Sequence, residues 1–537
     1  MVHTSINNGK HRDVLLYTLL FAIALLLVYI RAMPCITALP STDQGLWLYM
    51  GKAMLSGQVP YRDIWDQKGP VIYFIEALGL ALAGKSAWGV WVLEYCCMLH
   101  ASVWGFISLT RAFGQKAAAL GTLLWIFSLV FVMEEGNFTE TYALAVAFML
   151  FATYLNTCQA APSRRAATLI GVFGALCFFL RPNLIGALLA CVASWTVIAA
   201  TSHRWRTWAI NIVFAGLGFI CIAILISGYF IYHHALGAMY DQMLRFNMKS
   251  ICINPVKSRI HAAYFGLQLL APLSIIATLM WCAGVTRIRR IACRQDVFNN
   301  ILLFAVISWP IEFGLALVAG NKYYHYFVVL LLPICLLITW GVSILLRGIS
   351  SLPDWLEPDA PTTVTAARKE NLLSLAVLLL ILVPFINAQK PFLYYLLKPA
   401  TLRAERVPIR YTVADYITSH TSPADGVYIW GYDFTILYAT RRHSPIKYPD
   451  VVPFITPKYD PRPHVSSFLY DLTRQPPRVM IDMAEAEATV SMAQVFRNND
   501  IPQAREIWAY ICRNYQPAEL APGVVVYQRK MQRCNGE

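Results

Sequence analysis

The sequence predicts a polytopic α-helical membrane protein of about eleven transmembrane helices, followed by a small C-terminal α/β domain outside the membrane. Three observations predict it. The 537 residues are 57% hydrophobic and only 14% charged, where a soluble domain carries about 25% charged residues. Apolar runs long enough to cross a hydrocarbon core of about 30 Å recur through the first 389 residues. After Lys390 these runs give way to short strand-like and helical segments in alternation, the pattern of an α/β domain.

The first span covers about 14–33. Lys10 and Arg12 precede it, so the N-terminus is expected in the cytoplasm and the segment is expected to be a retained signal anchor. The first external loop follows, 34–85, and within it 71–84 is apolar but too short to cross, as an interfacial helix would be. Spans two to four are expected at 88–110, 117–133 and 139–157. The apolar stretch from Arg165 to His203 is interrupted by Arg181, Pro182 and Asn183. A charge beside a proline is a poor helix midpoint, so two short spans with Arg181 at their outer turn are expected. The remaining spans are expected at 208–232, 262–285, 301–319, 327–346 and 372–388. Arg287, Arg289, Arg290 and Arg294 mark the cytoplasmic end of the eighth.

An odd number of crossings puts the tail outside. The expected division is therefore a transmembrane domain, 1–389, and an extracytoplasmic domain, 390–537. In the tail, strands are expected at 426–431, 478–482 and 523–528, and helices at 411–420 and 485–496. The clusters YIWGYD (Tyr428 to Asp433) and Arg441, Arg442, His443 stand out there, and the apolar strand is expected to be core.

The formal charge of +14 follows from Lys and Arg in cytoplasmic loops; with no dense basic run interleaved with aromatics, nucleic acid is excluded as a partner. Most of the 13 cysteines lie inside apolar spans, where a thiol is a small hydrophobe, and none has metal-type CxxC spacing. A Cys512–Cys534 bridge is left open, because spacing alone does not establish one. His325, His233 and His234 are not spaced as metal ligands either, so no metal centre is expected.

Polar chemistry gathers in the first external loop, which carries Asp43, Asp63, Asp66 and Lys68 between membrane-grade segments. Ionisable groups held against a bilayer are costly to keep and mark function. The runs TDQGLWLYMG (42–51) and GQVPYRDIWDQKGP (57–70) resemble the first external loop of the multispanning GT-C glycosyltransferases. The resemblance is to the bacterial family-39 relatives of protein O-mannosyltransferases and to aminoarabinose transferases, and outside the loop it is mostly one of hydropathy. It implies an enzyme at the outer face of the cell membrane that takes a sugar from a polyprenyl phosphate. The acceptor would be a hydroxyl on a cell-envelope glycan, lipid or protein.

It further implies that Asp43 is the general base, though Gln44 stands where relatives often carry a second acid. Lys68 would contact the donor phosphate, and Arg62, Arg181 and Lys322 are further outward-facing cations that could join it. Glu134 and Glu135 would form a second acidic site for the acceptor or a divalent cation, so magnesium or manganese stays open as a cofactor. Tyr61, Asp66, Tyr324 and His325 are candidates for contacting sugar or acceptor, since aromatic rings pack against hexose faces. Glu76, Glu94 and Glu312 lie in apolar helices, equally open to structural pairing. The competing reading is a transporter or flippase for a lipid-linked saccharide. Such a protein would usually carry broken or charged helices at mid-membrane and a two-fold internal pattern, and neither is evident.

Overall fold

The structure, a computed structural model, describes residues 2–36, 39–158, 163–251, 253–294, 296–350, 362–397, 408–497 and 499–530. Cys534 lies outside them, so the Cys512–Cys534 question does too. The chain forms two compact units, each assembled from separated stretches. The first is Met1–Ala32, Val92–Ile226 and Asn254–Tyr394; the second is Met33–Trp91, Ser227–Ile253 and Tyr395–Glu537.

Helices stand at all eleven expected places, and the chain is a multi-pass membrane protein. Among the described residues eight helices are long and apolar enough to cross a membrane, or nine if Val256–Leu269 and Leu273–Val285, bent by 104°, count as one span. Thr139–Thr157 and Arg164–Leu180 fall short on their own. The former opens on Thr139, Glu140 and Thr141, and the latter has 17 residues beginning with two arginines. Val71–Leu82 is a helix of 12 residues, too short to cross.

In the first unit the central helices are Gln115–Val132 and Tyr324–Gly348, both 83% buried. Trp205–Tyr232 and Arg368–Tyr394 are mostly exposed and turn residues such as Ile220, Ile224, Leu372 and Leu379 outward, where lipid replaces water as solvent. Lipid gives apolar faces no reason to associate, so close approach has to come from small residues. A Cβ on Gly171 would strike the carbonyl of Ala215, and one on Gly218 the carbonyl of Thr168. That contact fixes the crossing of Arg164–Leu180 with Trp205–Tyr232.

The second unit contains a four-stranded sheet of β1 (Val427–Trp430), β2 (Val479–Asp482), β3 (Tyr515–Ala521) and β4 (Val524–Arg529), in the order β1-β2-β4-β3. β1 pairs parallel with β2, which pairs antiparallel with β4. β3 closes the antiparallel edge. β1 and β2 are buried at every position, which is why they read as continuous apolar runs. Phe454, Phe468 and Phe496 gather around Trp430 on one face. The helix expected at 485–496 is reduced to Met492–Phe496, because Glu485 to Thr489 turn back on themselves through Ala488→Glu485 and Thr489→Ala484 backbone bonds. β3 was not expected; its middle is solvent-facing and only its pairing with β4 defines it.

Candidate active site

The loop expected to carry chemistry lies in the second unit and begins with helix Thr42–Met54, whose first turn holds Asp43. A carboxylate there faces the positive end of the helix dipole. After Gly57 the chain makes a tight bend in which Tyr61 adopts φ 68°, a left-handed conformation uncommon for a bulky residue. The Tyr61 N–H closes the bend on the Ile64 carbonyl at 2.8 Å. Pro70 then starts helix Val71–Leu82, which leaves Asp66, Gln67 and Lys68 on the short return segment.

Lys68 and Asp43 meet there. The ammonium lies 3.3 Å from Asp43 Oδ2, with the lysine side chain 9% exposed and the aspartate 40% exposed. The same ammonium sits 5.5 Å from the Trp47 ring centre, a cation–π distance. Asp66 is buried beneath them. Its Oδ2 accepts from the Tyr73 hydroxyl at 2.9 Å and its Oδ1 from the Gln67 N–H at 2.6 Å. Burial pushes the Asp66 carboxyl above its ordinary range, against the opposing pull of the Lys68 charge and the Tyr73 hydrogen bond. Tyr61 is fully buried, and its hydroxyl donates to the Lys68 carbonyl at 2.6 Å. Arg62 is exposed and pairs with Asp63 at 2.8 Å.

Residues far along the chain hold this loop. Gln242 donates from Nε2 to the Tyr61 carbonyl at 2.8 Å and accepts the Asp66 N–H at 3.1 Å. Asn247 donates to the Gln67 carbonyl at 2.8 Å. Arg410 forks onto Asp433 and also donates to the Pro40 carbonyl at 2.9 Å, just before Asp43. Thr435 occupies the space where a Cβ on Gly45 would go, and the Trp65 N–H donates to the Lys447 carbonyl at 2.9 Å. Asp450 joins the acidic neighbourhood. Burial raises its carboxyl well above the usual range, and the charges of Asp66, Asp43 and Glu487 raise it further. None of these partners has a local sequence signature. Only the YIWGYD cluster, which ends in Asp433, was visible beforehand.

The other candidates lie in the first unit. Glu134 (φ 48°) and Asn137 (φ 55°) shape the turn after Gln115–Val132. Glu134 Oε1 is 3.2 Å from His325 Nδ1, and the imidazole stacks on Phe138 with ring centres 4.2 Å apart. Glu135 is half-buried in the same turn. Glu94 caps the turn: its carboxylate receives the Asn137 N–H at 2.8 Å and the Thr141 hydroxyl. Arg31 reinforces it by donating to the Val130 carbonyl at 2.5 Å and to Gln389 at 2.8 Å. Arg181 bridges Glu140 and the Tyr326 hydroxyl, each at 2.6 Å. Lys322 and Tyr324 are exposed. Glu312 is buried against Gly186, and among the described residues its Oε2 has no hydrogen-bond partner. Among the described residues no group of three or more His, Cys, Asp or Glu could hold a metal ion.

The site therefore offers a shielded cation against a half-open carboxylate, on a loop between apolar helices. A family model, the competence-induced protein Ccs4 N-terminal domain, matches residues 3–347. The chain belongs to that family. No curated protein sequence matches it. Solved structures do match in fold. ArnT from Cupriavidus metallidurans, in the apo state, superposes with a TM-score of 0.60 at 15% identity, over 97% of this chain and 98% of that one. The same enzyme bound to undecaprenyl phosphate gives 0.58 at 14%, over 95% and 97%. The archaeal oligosaccharyltransferase AglB from Archaeoglobus fulgidus, in complex with an inhibitory peptide and a dolichol-phosphate, gives 0.51 at 10%, over 98% and 75%. Both are GT-C glycosyltransferases, and the fold of this chain is the GT-C fold.

Proposed function

We propose that this protein is an inverting glycosyltransferase that moves a sugar from a polyprenyl-phosphate donor to an acceptor hydroxyl at the outer face of the membrane. The N-terminus is cytoplasmic, and the loop of Asp43 and the C-terminal residues lie outside. The observation that carries the reading is the pair of Lys68 and Asp43, 3.3 Å apart, with the cation shielded and the carboxylate partly open. The fold likeness to an ArnT structure holding undecaprenyl phosphate supports a polyprenyl phosphate as the carrier.

In the reaction Asp43 takes the proton of the acceptor hydroxyl. The oxygen lone pair forms the new bond to the anomeric carbon. The bond from that carbon to the phosphate oxygen breaks, and its electrons leave on the polyprenyl phosphate. Attack opposite the leaving group inverts the centre. Negative charge grows on the departing phosphate, where Lys68 supplies the opposing charge. At rest Asp43 holds the ammonium, and an arriving phosphate exchanges for it. Tyr61 and Asp66 are assigned to supporting Lys68, because both are buried with their polar atoms engaged. Arg62 remains a candidate for phosphate contact. Lys322, Arg181, Glu134, Glu135, Tyr324 and His325 belong to the first unit and are given no part in the step at Asp43 and Lys68.

The test is a transfer assay with membranes containing the native chain or Asp43→Asn, supplied with a panel of radiolabelled polyprenyl-phosphate sugars. Donor consumption by the native chain and a loss of about 10²–10⁴-fold in the variant is expected. Equal turnover in both would remove Asp43 as the base. Labelled lipid crossing the bilayer without turnover would instead make the protein a transporter.

A further inference from the structure

We propose that Gln242 and Asn247, on a π-helical turn, are positioning residues that hold the Lys68 loop in its phosphate-binding geometry. The inference rests on the glycosyltransferase reading for what Lys68 does, but not for how Lys68 is held.

The segment Leu236–Ile251 is a continuous helix whose middle, Asp241–Phe246, is π-helical. Such turns are rare and recur at functional sites. Here the irregularity has a geometric consequence. On a regular α-helix two residues five apart point roughly 140° away from each other. A turn closed by i→i+5 hydrogen bonds brings them back towards one face. Gln242 and Asn247 are five apart, and both reach the same loop. Gln242 is 3% exposed, and its amide forks onto both sides of the bend, donating to the Tyr61 carbonyl and accepting the Asp66 N–H. Asn247 adds the Gln67 carbonyl. Three backbone groups surrounding Lys68 are thus held by two side chains that do not belong to the loop.

Tyr61 carries the effect to Lys68. Its backbone is left-handed, a conformation that persists only when the surroundings over-determine it. Its carbonyl is held by Gln242, and its hydroxyl donates to the Lys68 carbonyl. Simple packing of the helix would need only its apolar side chains, such as Phe246 against Trp65 with ring centres 5.2 Å apart. The amides are additional, and they are directed at the peptide groups beside the cation. The first residue of the π-helical turn is held as well, since the Tyr459 hydroxyl donates to Asp241.

The experiment uses the purified full chain in detergent with four variants: Gln242→Leu, Asn247→Ala, Lys68→Met and Lys68→Met/Gln242→Leu. Three quantities are measured: affinity for undecaprenyl phosphate, melting temperature, and the rate at which an amine-reactive reagent modifies Lys68. Gln242→Leu is expected to weaken binding about tenfold, the effect of losing a positioned polar contact, and to speed Lys68 modification while melting near the native value. The double variant should bind no more weakly than Lys68→Met alone, since Gln242 acts only through Lys68. Native-like binding in Gln242→Leu, or losses that multiply in the double variant, would overturn the proposal. If Gln242→Leu does not fold, Asn247→Ala carries the same test, and native-like affinity together with an unchanged Lys68 rate would overturn it. Should the native chain not bind undecaprenyl phosphate, the function reading fails. The Lys68 modification rate then decides the positioning role alone, with equal rates in native and variants counting against it.

Discussion

Replacing Lys68 by methionine tests the site where its energetics are best defined. Two unit charges 3.3 Å apart attract by about 5 kcal/mol at an effective dielectric of 20. Asp43 is 40% exposed, so water screens the pair and its net contribution falls to about 1–2 kcal/mol. The ammonium does a second job, because it opposes the burial that drives Asp66 towards protonation. Removing it costs Asp66 that support, and the total expected loss is about 2–3 kcal/mol. The sign with pH follows from linkage. A carboxyl whose folded pKa is raised contributes stability at low pH, and that contribution is lost as pH rises through the folded value. Without Lys68 the carboxyl of Asp66 rises further, so Lys68→Met should be closest to native stability near pH 5 and fall behind it towards pH 8. Asp43→Asn in the Lys68→Met background should cost less than in the native chain, since the ion pair it would break is already gone. Thermal unfolding of the native chain, Lys68→Met, Asp43→Asn and the double variant in detergent at both pH values reads all of this. Additive single losses, or a Lys68→Met deficit independent of pH, would refute the reasoning.

Other consequences are open to direct measurement. Burial raises Glu487 to about 8, with the charge of Asp433 adding to it, and Glu487 Oε2 accepts the Tyr432 N–H at 2.6 Å. Between pH 4.5 and 8 the native state therefore holds a proton that the unfolded chain gives up, so stability should fall across that window. Glu487→Gln should remove that part of the fall in melting temperature, and an unchanged slope would count against the assignment. His464, lowered to about 4 mainly by burial, contributes in the opposite sense below its ordinary value, which is why the comparison is between native and variant. Arg181→Met leaves Glu140, 1% exposed, buried without its cation at a cost of about 3–5 kcal/mol; Glu140→Gln in the same chain should recover part of the lost melting temperature. If Lys68 supplies the positive charge at the phosphate as proposed, transfer should survive EDTA, and loss of activity restored by magnesium or manganese would overturn that role.

Much of the architecture was legible because lipid imposes it. Apolar runs flanked by arginines announced the helices, the charge beside Pro182 announced a turn, and the shortness of 71–84 announced a helix that does not cross. Other features resisted for local reasons. The helix Thr139–Thr157 was expected, but not that Glu140 in its first turn pairs with Arg181, 41 residues on. β3 has exposed polar positions and exists through its hydrogen bonds to β4. Residues 485–496 favour helix by composition, yet the chain folds back at Glu485 to Thr489 and brings Glu487 to the Tyr432 backbone.

From the sequence alone the chain reads as a multi-pass membrane protein with Asp43, Asp66 and Lys68 gathered on its first loop. A hydrocarbon solvent leaves few other places for Asp43 and Lys68, and apolar periodicity is a local property of the chain. Only the tertiary structure decided that these two are an ion pair, that Asp66 and Tyr61 lie buried beneath them, and that Gln242, Asn247 and Arg410 hold the loop. Gln242 is 181 residues from Tyr61 and Arg410 is 370 residues from Pro40. A side-chain amide or guanidinium pairs with whatever peptide group folding brings within about 3 Å of it, and no spacing along the sequence encodes that meeting.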